Sequence, residues 1–551
     1  MPFFLLMSFP YAGTIPNVMK DRYLESIGGV SMDRKSKGNK VGCAGLIFDD
    51  NFEAGNLGSV RSISDFEYEI CLRPDTNAPK YRLWFYFRVT FDQANSVFTS
   101  KQDGEHRAVF SIVNFSKNRS LYRDGMAPLV RSTSRPLWER VPRRNVFYFR
   151  SAKHKAAFVM SFVFTFDKCD DEYYFAYSYP FTYTEQQKIL AQIEAQRLPY
   201  VRRDLLCRSV QGRRVDMITV GDINPLSPAF RSFDGKKRRT IVIVGRVHPG
   251  ETPASFVLKG LLDFLTSSTD RDAERLRRAV TFILVPMLNP DGCFLGNYRT
   301  CSLGIDHNRR WTYPTQAMEP SLQAVKHLLA DLYRKSDVQV DFFIDIHAHS
   351  TARSAFVLCN PPPRHLSATG PNNSSSGSGN HNSRMNGPNS NSSKHNAYTN
   401  GTMASGENCI SQDVLRSIHL SDISAWPRII ANSVKEFSLG ACKLCTDPSK
   451  AGCARRVLGG DFPDIVCYTL EISFYAAPMN NGSALTSQMY KPIAHQSRDR
   501  DYVSNGVNTN GSASANGTVQ PGCPNTEKGY IEFGKQVGLS FMTYYKITRA
   551  R

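Results

Sequence analysis

Between about residues 47 and 183, apolar positions fall into short runs of aromatic and β-branched residues separated by turn residues. These runs are Arg82 to Val89, Ala108 to Phe115, Val146 to Arg150, Phe158 to Phe166 and Tyr173 to Tyr179. Such spacing predicts an antiparallel β-sandwich of roughly 130 residues. Its rings are expected to pack the sandwich core and the neighbouring domain, with a sugar- or peptide-binding face as the sharper alternative. Thr184 to Arg197 then takes helical spacing, with Thr184 as the expected N-cap, and joins the sandwich to a second domain.

Beyond the joint the period alternates. Strands are expected at Asp216 to Val220, Ile241 to Val244, Val280 to Val285 and Val340 to Ile346, and helices at Pro253 to Thr266 and Ser321 to Arg334. A helix near Ser424 to Phe437, a strand at Val466 to Phe474 and a helix at Glu527 to Tyr545 extend the series. The alternation predicts an α/β domain, a mixed sheet flanked by helices. Two tracts interrupt it. Between Pro371 and Gly406, 23 of 36 residues are Asn, Ser or Gly, and Ser504 to Gln520 is similar. Such composition cannot bury enough apolar surface to offset chain entropy, so both tracts are expected to be disordered surface inserts. The expected organisation is an extension over 1–40, the sandwich over 41–183, and one domain over 184–551 with inserts at about 362–412 and 480–524.

Composition narrows the partners. Lys plus Arg number 68 against 49 Asp plus Glu, a net charge of +19 that favours acidic partners. Nucleic acid, anionic lipid and acidic polypeptide all qualify on charge, but no nucleic-acid-binding motif accompanies it, so no nucleic-acid partner is expected. The basic run from Arg131 to Arg150 reads as a solvated loop able to attract an acidic partner. The N-terminal MPFFLLMSFPYAG lacks a preceding basic region and is too short to span a bilayer, so no membrane partner and a cytosolic address are expected. Thirteen cysteines without regular spacing read as reduced thiols, and Cys442, Cys445 and Cys453 lack a second half for a structural zinc site.

Candidate chemistry begins where the Ile241 to Val244 run delivers His248 and Glu251 into a Pro-Gly turn. Histidine and glutamate three apart supply one nitrogen and one oxygen to a zinc ion, and a catalytic site needs a third ligand and an open position. The strand ending in Asp345-Ile346-His347-Ala348-His349 offers His347 at the same kind of place, since ligands sit beyond the carboxyl ends of strands in an α/β sheet. His349 is the alternative third ligand or a hydrogen-bonding partner, and Asp345 is suited to orient an imidazole. Between these strands lies a Gly- and Asn-rich loop carrying Arg299, Asn308, Arg309 and Arg310, suited to gripping a carboxylate by bidentate bonds. Glu471 is the single acid in CYTLEISFY: it either points outward or sits at the site as general base.

These segments together resemble the zinc carboxypeptidase superfamily and, within it, the cytosolic carboxypeptidases. HPGETP, MLNPDG, GNYR-x-CSL-G-x-D-x-NR-x-W, D-x-H-x-HS and YTLE occur in that order. FEAGNLGSV, RPDT, WFYFRV and FAYSYPFTYT look like the family's N-terminal β-domain, and GRVHPGETP, IDIHAHST and KAG-x-x-RR-x-LGG are similar to the small type 6 branch of tubulin deglutamylases. The resemblance implies a zinc-carboxypeptidase-like fold with one Zn2+ per chain held by His248, Glu251 and His347. It further implies Glu471 as the base and proton donor, Arg299 as the oxyanion stabiliser, Asn308 and Arg309 on the substrate's terminal carboxylate, and Arg455 or Arg456 selecting glutamate. His307, Ala348 and Cys453 depart from the usual Leu, Gly and Thr, and none of these removes a proposed ligand or base. The implied activity is removal of glutamates, C-terminal or side-chain-linked, from polyglutamylated tubulin or microtubules and other acidic protein C-termini. The implied protein is a cytoplasmic monomer, associated with microtubules, centrioles or basal bodies. A catalytically inactive, basic microtubule-binding scaffold is the alternative from another class.

Overall fold

Short aromatic runs form two stacked sheets in the computed structural model, which describes residues 41–43, 45–92, 106–116, 120–221, 237–361, 423–475 and 526–549. The N-terminal extension and both Asn/Ser-rich tracts lie outside the described residues. One sheet has six strands in the order Val41–Cys43, Leu46–Asp49, Tyr86–Phe91, Tyr173–Ala176, Leu129–Ser132 and Glu139–Arg140. The other has five: Ser59–Ser64, Glu67–Cys71, His106–Ile112, Ala157–Phe166 and Val146–Ser151. Pairing is antiparallel except between Glu67–Cys71 and His106–Ile112. That exception has a simple cause: the intervening strand Tyr86–Phe91 runs in the opposite sheet, so the chain returns to the first one in its original direction.

Rings fill the space between the sheets. Phe48 meets Phe110 edge-on with centroids 5.8 Å apart, and Phe110 meets Phe175 at 5.5 Å. Others leave the sandwich for the next domain, with Tyr177 5.2 Å from Phe474 and Phe181 5.1 Å from Phe256. The aromatics therefore make core and domain contact, the first of the two expectations. The basic run is solvated in part, with Arg135, Arg143, Arg144 and Arg150 exposed, but two of its arginines pack. Arg131 stacks on Trp138 and Tyr174, and Arg140 lies over Tyr179 and Tyr475 while donating to the Ala127 and Phe474 carbonyls. Long stems and planar guanidinium groups let these residues act as packing.

The helix joining the domains spans Tyr183–Ala195, and its N-cap is Thr182, not Thr184. Thr182 has the extended backbone a cap requires, and its hydroxyl accepts the Glu185 N–H at 3.0 Å, while the Thr184 N–H goes to Glu53.

The second domain is built on an eight-stranded sheet in the order Val201–Arg208, Arg214–Val220, Val280–Val285, Arg238–Gly245, Val338–His349, Val466–Ser473, Phe356–Cys359 and Lys443–Leu444. Its four central strands, from Val280–Val285 to Val466–Ser473, are parallel. Ile241 to Val244 are fully enclosed, the continuous apolar run expected of a parallel strand covered on both faces. Ile241 and Ile243 face a core shared with the helices Pro253–Thr266 and Glu527–Tyr544. Val242 and Val244 face a separate core with Pro320–Arg334 and Ala454–Asp461. The expected helix over Ser424 to Phe437 is shorter, Ala425–Ser433, because Phe437 bridges to Ala355 instead. Among the described residues no helix is long and apolar enough to cross a membrane.

Helices Pro253–Thr266 and Glu527–Tyr544 touch backbone to backbone at two glycines. A Cβ on Gly260 would lie 1.9 Å from the Ile531 carbonyl oxygen, and one on Gly534 would lie 2.0 Å from that of Val257. Gly534→Ala is expected to lower stability by about 1–3 kcal/mol through overpacking. Gly460→Ala, with nothing within 4 Å of its Cβ, serves as control. Denaturation midpoints of the two variants check this: the first falls and the second does not.

Candidate active site

The turn after strand Arg238–Gly245 is shaped by a buried arginine. Arg246 takes a left-handed backbone (φ 54°) and is 2% exposed. Its guanidinium donates to the Pro249 carbonyl at 2.7 and 3.0 Å, to that of Phe181 at 3.1 Å and to the Ser255 hydroxyl at 2.8 Å. Those bonds fold His248 and Glu251 back over the strand end. Gly250 lets the turn abut the arginine loop, since a Cβ there would lie 2.7 Å from the Tyr298 ring.

His248, Glu251 and His347, all buried, converge so that their ligand atoms lie within 4.8 Å of one another. His248 Nδ1 is 2.8 Å from Glu251 Oε1, and His347 Nδ1 is 2.9 Å from Glu251 Oε2 and 3.1 Å from His248 Nδ1. The opposite ring nitrogens face carboxylates: His347 Nε2 is 2.7 Å from Asp345 Oδ2, and His248 Nε2 is 3.2 Å from Asp306 Oδ1. A neutral imidazole has one N–H. With that N–H held at Nε2 of each ring by these acids, two Nδ1 lone pairs and a carboxylate point at one spot. That is a cluster of acceptors needing a cation, in the carboxylate–histidine arrangement characteristic of zinc sites. The donor set therefore fits the ion. Among the described residues, Cys442, Cys445 and Cys453 form no such group.

The charges are mutually supporting. Burial opposes ionisation of Glu251, yet the two imidazoles hold its carboxyl well below the usual carboxylate range. Burial also opposes a charge on His347, and Asp345 and Glu251 outweigh it, moving the ring well above the usual histidine range. Asp306 is buried too, and His248 and Arg299 hold it far below ordinary carboxylates. By contrast, burial pushes His307 down to about 4, so this ring stays neutral, with neither ring nitrogen hydrogen-bonded among the described residues.

A cavity of about 650 Å³ opens on this group, and Arg299, Asn308, Arg309, Arg455 and Glu471 line it with the three ligands. Arg299 donates through Nε to Asp306 Oδ2 at 2.8 Å. Asn308 Oδ1 accepts the Ala454 N–H at 3.1 Å, which turns its Nδ2 towards His347. Arg309 Nη1 donates to the Asn308 carbonyl at 2.8 Å. Arg310 turns away to pair with Glu319. Glu471 sits opposite His347 in the parallel ladder, so both project from the same face of the sheet into the cavity.

The structure separates two pairs that the sequence left open. His349 Nδ1 accepts the Thr351 and Ala352 N–H groups and stays out of the ligand group. Arg455 is 1% exposed and lines the cavity, whereas Arg456 does not line it and donates to the Thr446 and Asp447 carbonyls. Sequence reasoning missed Arg246 and Asp306. Arg246 was a letter of GRVHPGETP and had one further signal, a lone charge directly after an apolar strand. Asp306 was visible only as a motif letter; in the structure its carboxylate touches His248, Arg299 and the Asn308 N–H.

The chain matches the family described as zinc carboxypeptidase over residues 187–409 and the cytosolic carboxypeptidase N-terminal domain over residues 48–178. The first match stops short of Glu471, which only the sheet brings beside His347. The chain is 36% identical to cytosolic carboxypeptidase 6 of Mus musculus over 503 residues, covering 91% of this chain and 74% of that protein. With cytosolic carboxypeptidase 6 of Caenorhabditis elegans it shares 37% identity over 436 residues, 79% of this chain and 80% of that protein. A metallo-carboxypeptidase from Burkholderia cenocepacia has the same fold, with a TM-score of 0.60 at 19% identity over 91% of this chain and 99% of that one. Given relatives matched along most of their length, this chain belongs to the cytosolic carboxypeptidases of the zinc carboxypeptidase family and is a metallocarboxypeptidase.

Proposed function

We propose that this carboxypeptidase releases glutamate, from polyglutamylated tubulin tails and other acidic protein C-termini, in the cytoplasm and as a monomer. The observation that carries the reading is Arg455. Its guanidinium is buried at the cavity and donates to the Cys359 and Cys445 carbonyls and to the Asn360 side chain, all neutral. Its Nε has no partner among the described residues. A buried cation satisfied only by neutral acceptors favours a ligand bringing a negative charge. Lys443 and Lys450 line the same cavity, and the net charge of +19 suits acidic tails.

In this reading His248 and His347, each through Nδ1, and Glu251 hold one zinc ion. When bound, zinc acidifies a water molecule and polarises the scissile carbonyl. Glu471 takes the proton from the attacking water and passes it to the leaving amine nitrogen as the peptide bond breaks. Arg299 donates to the developing oxyanion, and Asn308 and Arg309 hold the terminal carboxylate of the departing residue. Asp345 and Asp306 keep the two imidazoles in the tautomer the metal needs.

Arg455→Gln keeps donors for the neighbouring carbonyls while removing the charge. It is expected to cost about 1.5–3 kcal/mol with a glutamate-ended peptide, roughly ten- to a hundredfold in kcat/KM. Peptides ending in Gly or Tyr should change far less. Kinetics on all three peptides test the assignment, and an unaltered preference for glutamate in the variant would overturn it.

A further inference from the structure

A turn of the β-sandwich, Arg73 to Tyr81, packs against the loop that carries Arg299. Asp75 in that turn is 2% exposed. Its Oδ1 accepts the Tyr298 N–H at 2.6 Å, and its Oδ2 accepts the N–H groups of Arg299 at 2.7 Å and Thr300 at 2.8 Å, with the Thr300 hydroxyl at 3.2 Å. Three consecutive N–H groups on one carboxylate fix the two peptide planes that flank Arg299. The turn holds the guanidinium as well: Arg299 Cζ lies over the Tyr81 ring, 5.9 Å from its centroid, and the Tyr81 carbonyl accepts the Asp75 N–H at 2.9 Å. On the far side, Arg299 meets Asp306, which meets His248. The arrangement is a continuous line of polar contacts from the sandwich to a metal-ligating imidazole.

The neighbouring contacts dock the same loop. Thr76 donates its N–H and hydroxyl to Asn297 Oδ1, both at 3.0 Å, and Asn77 Nδ2 donates to the Ser302 carbonyl at 3.0 Å. These are neutral contacts of the kind that join two domains. Asp75 differs from them. A buried carboxylate is costly to desolvate, and no described cation pairs with it; its compensation comes from the donors it gathers at Arg299. An asparagine there would set its own N–H2 against N–H donors. We infer that Asp75 is a positioning residue for Arg299, with Tyr81 as its second support, so that the sandwich domain forms part of the active site. The inference rests on the proposed role of Arg299 at the oxyanion.

The test is a double-mutant cycle on the full chain with zinc loaded and a glutamate-ended peptide as substrate. Misplacing a catalytic group by about 1 Å costs on the order of a hundredfold, so Asp75→Asn is expected to lower kcat by about ten- to a hundredfold. KM and zinc content should stay near those of the parent. In an Arg299→Ala background the same change should cost less than about threefold, because the group it positions is gone. If Asp75→Asn fails to fold, Tyr81→Ala takes its place in the cycle, with Tyr81→Phe expected to retain activity. Losses that multiply in the double mutant would overturn the inference alone. Full activity of Arg299→Ala would instead remove the proposed role of Arg299, and the inference with it.

Discussion

Glu471→Gln is expected to lower kcat on a glutamate-ended peptide by about a thousandfold or more, within the range that general acid–base catalysis supplies. The substitution keeps shape and hydrogen-bonding capacity and removes only the ability to carry the proton. Glu471 pairs with His347 across the parallel ladder, and no described residue hydrogen-bonds its carboxylate, so the variant should leave the fold and the ligand group intact. KM should change little, since Asn308, Arg309 and Arg455, the proposed substrate contacts, still line the cavity. Metal analysis and steady-state kinetics on the same preparation check both halves. Retained turnover would remove Glu471 from the proton path, and lost zinc would make it a structural residue.

Removing the metal is expected to abolish activity and to lower stability, by about 4 kcal/mol relative to protein in zinc at a thousand times its dissociation constant. The loss should depend on pH, with a sign the site dictates. Without a cation, a proton must answer the acceptors around His347, whose folded-state pKa lies well above the ordinary histidine value because Asp345 and Glu251 outweigh burial. A raised histidine pKa contributes stability that is fully present below its unfolded value and is lost as pH rises through the folded one. Glu251, held well below its ordinary value, contributes above that value and loses its contribution only in acid. Chelated protein should therefore unfold at a lower temperature at pH 9 than at pH 6, and zinc-loaded protein should show much less of this difference. Thermal melts at the two pH values decide it: equal slopes would mean that the three side chains do not share a cation site.

Much of this was legible in the chain because periodicity reports burial. The runs at Ile241 to Val244 and Val340 to Ile346 announced enclosed strands, and strand ends in an α/β sheet are where His248, Glu251 and His347 had to meet. What remained hidden depends on direction and register. Residues 455 and 456 differ by a single step along a helix, so only the packing of Ala454–Asp461 decides which arginine faces the cavity. His347 and His349 lie on the same face of one strand, and the loop N–H groups of Thr351 and Ala352 claim the second. The Thr182 cap was displaced by two residues because two threonines there are equally good caps in composition, and backbone conformation selects one. Asp75 was visible only as a letter of RPDT: the nearest N–H its carboxylate accepts lies 223 residues along the chain, and no local pattern encodes such a contact.

The proposed reaction is removal of glutamate from carboxyl termini with zinc held by His248, Glu251 and His347. The most direct test is mass spectrometry of peptides ending in Glu, Asp, Gly or Tyr, incubated with zinc-loaded protein and in parallel with Glu471→Gln. The expected result is stepwise shortening of the glutamate-ended peptide by the parent enzyme, little change in the other three, and none with the variant. An unprocessed glutamate peptide in the presence of stoichiometric zinc would rule out glutamate release, and equal processing by the variant would rule out Glu471 as its base.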